Sequence, residues 1–179
     1  MIDYDSPTFW NDLFAVLAKG TMETLWMISV ALLVTVIVGL PLGILLVGTE
    51  RGRFLEAPFG SRAVGVIINN VLGFIVNVGR SVPFIVLMIA LIPLTRLLLG
   101  SFIGTGPAIF PLTLIAIPFF ARVVEIAVKE VDGGLFETAE SLGATRWQTV
   151  RRVILPQSAP SIVLGTATTL TSIINFSAM

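Results

Sequence analysis

Hydrophobic positions in this chain come in long runs without charge. There are 26 uncharged residues between Glu23 and Glu50, 25 between Arg96 and Arg122, and 27 from Arg152 to the end at Met179. A helix rises about 1.5 Å per residue, so about 20 apolar residues cross a hydrocarbon core about 30 Å thick. Each run therefore predicts a membrane-spanning helix. The middle of the chain is less simple, with 17 uncharged residues between Arg62 and Arg80 and 15 between Arg80 and Arg96. Neither stretch spans comfortably alone. They predict one bent unit, an interfacial helix that leads into a span at about 81–99. Val64, Ile67, Ile68, Val71, Leu72, Ile75 and Val78 recur at helical spacing, with Asn69, Asn70, Gly73 and Asn77 on the other side. Ser81 and Pro83 suit a helix restart. The predicted spans lie near 21–47, 81–99, 107–127 and 158–179, after an outer tail at 1–19. A polar segment at about 128–157 separates the last two, and 20–179 reads as a single membrane domain.

Composition agrees with this reading and narrows the chemistry. Of 179 residues 55% are hydrophobic and 12% charged, with mean hydropathy +0.98, which excludes a disordered chain. Eleven Lys and Arg balance eleven Asp and Glu, so no net positive field favours nucleic acid. The absence of Cys excludes disulfides and thiolate metal sites, and the absence of His removes the commonest proton relay.

The positive-inside rule gives an orientation. With the first span running inward, the loop around 49–80 is cytoplasmic and carries Arg51, Arg53, Arg62 and Arg80. The segment after the third span adds Arg122, Lys129, Arg146, Arg151 and Arg152, making nine cations inside against Lys19 and Arg96 outside. The acidic N-terminus, with Asp3, Asp5 and Asp12, is then outside, and it lacks the basic region of a signal peptide.

Pro41, Pro93, Pro111 and Pro118 should bend their helices, and Gly39 with Gly43 would let another helix approach closely. In the last span Ser161, Gly165, Thr168, Ser172 and Asn175 repeat at steps of four and three and share one helical face. Two readings stand: hydroxyls bonded to the backbone in ordinary helix packing, or a wall of a water-accessible path. The charge-free runs hold no Asp, Glu or Lys, which argues against a proton or ion relay. The G-x-x-x-x-G-K-[ST] phosphate cradle is also absent, so energy for any transport would come from another chain.

The polar segment carries the most local structure. Arg122, Glu125 and Lys129 are spaced to pair along a helix that continues the third span. Asp132-Gly133-Gly134 breaks it and supplies a cap for a short helix with Leu135, Phe136, Ala139 and Leu142 on its apolar side. Gly143 ends that helix, and Thr145 with Gln148 forms a capping box that opens a second one, running to Leu155 and stopping at Pro156. Two short helices at an angle make a knob, with Phe136 and Trp147 available to a partner.

These residues carry a resemblance. Bacterial ABC importer permeases share a motif of E-A-A, three residues, G, nine residues and I-x-L-P; the chain reads Glu137-Thr138-Ala139, Gly143 and Val153-Ile154-Leu155-Pro156. Glu137, Ala139, Gly143, Leu155 and Pro156 match in register, and Thr138 and Val153 depart mildly. The resemblance implies an all-α type I importer transmembrane fold whose knob docks into a separate ATPase. Phe136 and Trp147 would join the motif residues at that contact. Over about residues 20–179 the chain also resembles the methionine-importer permeases, in Arg80-Ser81-Val82-Pro83-Phe84-Ile85, Ile92-Pro93-Leu94-Thr95-Arg96, Pro118-Phe119-Phe120-Ala121-Arg122 and Ser177-Ala178-Met179. That family implies a homodimer in the bacterial inner membrane, two ATPase subunits using ATP and Mg, and a substrate-binding lipoprotein. It implies L-methionine as substrate, with D-methionine or derivatives in some members, and no cofactor on this chain. Members continue past Ser-Ala-Met to a fifth span, so the expectation is a fragment. Import of another amino acid or small organic solute, a passive channel and a membrane scaffold are the alternatives.

Overall fold

The computed structural model describes residues 9–50, 53, 55 and 61–178. Asp3 and Asp5 of the outer tail, Arg51 of the loop and Met179 lie outside the described residues. The described residues form helices α1 (Phe9–Gly48), α2 (Arg62–Ser81), α3 (Phe84–Leu99), α4 (Thr105–Lys129), α5 (Gly133–Ser141), α6 (Arg146–Thr149) and α7 (Leu155–Ser177). A π-helical turn, Val150–Ile154, joins α6 to α7.

α1 and α4 are the spine. Met27, Ile28 and Ala31 cluster with Leu112 and Ala116, and further along Val47 clusters with Val124 and Val128. Residue numbers rise together, so the two helices run parallel. They approach closely because Gly39 faces Phe120 and Gly43 faces Ala121 and Val124, the small pair expected from the sequence. α7 runs the other way, with Ile162 in the cluster of Val124 and Val128, and Ile173 beside Leu112 and Ala116. Because α1 and α4 are parallel, α2 and α3 together return the chain once. The bent unit is therefore real, but its parts differ from expectation. α2 is 20 residues, long and apolar enough to cross a membrane, whereas α3 has 16 and is shorter. The break falls at Val82-Pro83, where Pro83 precedes α3 and lacks the N–H that would continue α2.

Three further details correct the sequence reading. The outer tail is helical from Phe9, so α1 has 40 residues and a length of about 60 Å, about twice a hydrocarbon core. Asp12 lies in its first turn, where the positive end of the helix dipole favours an acid. Arg80 stands at the opposite end of α2 from Arg62, away from the other loop arginines. α2 rises from the α1 terminus, where the Asn69 side chain donates to the Leu46 carbonyl at 2.7 Å, to Pro118 beside Gly79. Finally, the second short helix does not stop at Pro156. Arg146 to Ser177 is one continuous 32-residue helical stretch, with Pro156 in the first turn of α7. The π turn lies just before it, where the Leu155 N–H already bonds the Val150 carbonyl five residues back and the i→i−4 pattern is interrupted.

Candidate functional site

The knob between α4 and α7 is built from local rules that the structure satisfies. Asp132 Oδ1 accepts the Gly134 N–H at 2.8 Å and caps α5. At the other end Gly143 takes φ +72°, its N–H donates to the Glu140 carbonyl at 2.9 Å, and the Ala144 N–H donates to the Ala139 carbonyl at 3.0 Å. That pair of bonds is a Schellman closure, which needs a left-handed residue at this position. Thr145 Oγ1 accepts from the Gln148 N–H at 3.3 Å, while Gln148 Oε1 accepts from the Thr145 N–H at 2.8 Å. The capping box opens α6 with both orphan donors satisfied.

The motif residues divide between inside and outside. Ala139 is buried, and Leu155 packs against the cluster of Val47, Val124, Val128 and Ile154. Glu137, Gly143 and Pro156 are exposed. Trp147 is 67% exposed and Leu142 81%, large apolar surfaces at the tip of the knob. Phe136 does not share that position. It is half-buried against the same cluster, and the Arg53 guanidinium lies 5.3 Å from its ring centroid. Phe136 thus ties α5 to the bundle, and Trp147 is the more exposed of the two aromatics. α5 has apolar residues on two sides, with Leu135 and Leu142 exposed and Phe136 half-buried.

The polar face expected on α7 straddles a boundary. Gly165 is buried against Val123, and Ser161 Oγ donates to Glu130 at 2.9 Å. Thr168 and Ser172 donate to backbone carbonyls of their own helix, at 2.8 and 3.0 Å. Thr168 and Asn175 are exposed and Ser172 half-buried. Two of the five residues are therefore held within the bundle, and the other three form a stripe on its outer side.

A charged cluster at the base of the knob was only half visible in the sequence. Glu125, its side chain 5% exposed, accepts two bonds from Arg122 Nη1 at 2.7 Å and one from Lys129 Nζ at 2.9 Å. The helical spacing announced those pairs. It did not announce Glu50, at the end of α1, whose carboxylate lies 2.6 Å from Lys129 Nζ. Nor did the sequence suggest that an acid in α4 would be buried. Its two cations make that burial tolerable, because an unpaired buried carboxylate would be costly. Among the described residues no group of three acids, His or Cys is placed to hold a metal ion.

Comparison with known proteins places this architecture. A family model described as "Binding-protein-dependent transport system inner membrane component" matches residues 39–179. The chain is 45% identical over 163 residues to the probable D-methionine transport system permease protein MetI of Vibrio cholerae, covering 91% of this chain and 69% of that one. It is 39% identical over 173 residues to the D-methionine transport system permease protein MetI of Escherichia coli strain K12, covering 97% and 74%. A solved structure described as inward-facing conformations of the MetNI methionine ABC transporter matches with TM-score 0.85 and 38% identity, covering 93% of this chain and 74% of that one.

Proposed function

The chain belongs to the family of binding-protein-dependent transport system inner membrane components, a multi-pass inner-membrane permease, and on that premise we propose that it carries methionine into the cell. Two copies would form the path, driven by two ATPase subunits that bind ATP and Mg and fed by a substrate-binding lipoprotein. One observation supports the drive from outside: a well-capped knob with an exposed tryptophan at one end of an otherwise apolar bundle. The knob end is assigned to the cytoplasm and the start of α1 to the outside. Arg62, Arg122, Lys129, Arg146, Arg151 and Arg152 gather at the knob end, as the positive-inside rule requires. The motif residues Glu137, Ala139, Gly143, Leu155 and Pro156, with Trp147, make the coupling site; Phe136 supports it from within.

The direct test is co-purification with the neighbouring ATPase, followed by uptake of labelled methionine into proteoliposomes with and without ATP. Uptake without the ATPase would favour a passive channel. Trp147→Ala should lower recovery of the ATPase by about 30-fold, the cost of losing an interface anchor of 2 kcal/mol or more. Full recovery would move the docking site elsewhere.

For the path itself, the stripe of exposed Thr168, half-buried Ser172 and exposed Asn175 is the candidate wall. An amide side chain facing lipid would lack partners, so this stripe suits a second copy or water better than acyl chains. Ser172→Leu should cut uptake while ATPase recovery stays normal. Wild-type uptake in that variant would reduce the stripe to ordinary helix surface.

A further inference from the structure

The end of α4 that leads into the knob is tied on both sides. Beyond Val131, Asp132 caps α5, whose first turn opens on Gly133 and Gly134. Lys129 Nζ is 2.6 Å from Glu50 at the end of α1 and 2.9 Å from Glu125. Glu130 Oε2 accepts the Ser161 hydroxyl of α7 at 2.9 Å, and Val131 is buried. On the far side, Phe136 is seated in the core cluster. The exit of α4 is thus tied to α1 by one residue and to α7 by the next.

We propose that Lys129 and Glu130 are positioning residues for transport: they tie the exit of α4 to its neighbours so that displacement passed from α5 into α4 reaches the ends of α1 and α7. The proposal rests on the reading of the knob as the site where an ATPase delivers motion. The linkage is mechanical. With both ties in place the end of α4 cannot move without carrying α1 and α7; with both cut, it moves alone. An exposed ion pair contributes little stability, so loss of these ties should be felt in coupling rather than folding.

The test uses the assembled permease and ATPase in proteoliposomes and reads methionine uptake per ATP hydrolysed. Glu50→Ala leaves Lys129 paired with Glu125 and cuts only the tie to α1. Glu130→Ala cuts the tie to α7. The double variant should keep wild-type ATP turnover and lose about fivefold in uptake per ATP, the lower end of usual coupling between sites. Lys129→Arg and Glu130→Gln retain a donor and an acceptor in place, and should keep the wild-type ratio. An unchanged ratio in the double variant overturns the proposal. So does a parallel fall of uptake and ATP turnover in step with complex recovered, because that is the signature of a folding role. Failure of the wild-type complex to show ATP-driven uptake would instead remove the functional reading beneath it.

Discussion

Gly43→Ala should destabilise the bundle more than alanine at any other helical glycine whose surroundings are described, apart from Gly165. A Cβ at position 43 would lie 2.5 Å from Val124 Cβ, 2.6 Å from the Ala121 carbonyl oxygen and 2.7 Å from Val124 Cγ1. Carbon atoms in contact prefer about 3.5–4.0 Å, and a helical carbonyl cannot rotate aside. The remedy is to separate α1 from α4, which loosens contacts along the whole seam, Val47, Phe120, Val124 and Val128 included. The cost belongs at the upper part of the range for overpacking, about 3 kcal/mol, and Gly43→Leu should prevent assembly. Gly39→Ala should be milder, since its nearest obstacle is the ring edge of Phe120 at 2.8 Å. Gly73→Ala meets nothing within 4 Å and should be neutral or slightly stabilising, as helix propensity favours alanine. Thermal unfolding of the detergent-solubilised protein, followed by size-exclusion recovery, ranks the three. A wild-type melting point for Gly43→Ala would refute the seam.

That ranking shows what a sequence can and cannot disclose in a membrane bundle. The spacing of Gly39 and Gly43 announced a close approach but not its partner, because lipid-facing and helix-facing residues are equally apolar. Leu33 and Ile37 are largely exposed on the same helix that buries Ala31 and Thr35. Caps were legible for the opposite reason. Asp132, Gly143 and the Thr145–Gln148 pair act over two to five residues, through bonds whose geometry does not depend on distant chain. Long-range ties left no trace: Glu50 and Lys129 meet only because α1 and α4 are parallel. Pro156 misled because a proline ordinarily closes a helix, whereas here a π turn admits it to the first turn of α7. Arg80 misled because the positive-inside count treated 49–80 as one loop, and the structure makes most of it a helix that climbs away. Phe136 shows the same limit on a smaller scale, for an aromatic on a short two-faced helix has no periodicity to say which face turns inward.

Gly143→Pro should leave that bundle intact and abolish ATP-driven uptake. No atom lies within 4 Å of a Cβ at Gly143, so the substitution disturbs nothing in the membrane core. Its effect is confined to the turn. Proline holds φ near −65°, against the +72° observed, and has no N–H to give the Glu140 carbonyl. It also disfavours the helical backbone of Leu142 before it. α5 then loses its closure, and the relative placement of Glu137 and Trp147, on either side of the turn, goes with it. Uptake should fall on the order of a hundredfold, the upper scale of coupling between sites, with normal amounts of permease in the membrane. Gly143→Ala keeps the N–H and costs about 1–2 kcal/mol for the left-handed backbone, so it should transport at a reduced rate. Gly143→Asn, a residue that tolerates this conformation, should lie closer to wild type. The series therefore separates backbone geometry from side-chain bulk, since asparagine is larger than alanine yet should perform better. If the proline variant imports methionine at the wild-type rate, the turn does not set the docking geometry. If alanine outperforms asparagine, bulk rather than backbone conformation governs the site, and the knob would have to meet its ATPase through the face that carries Gly143.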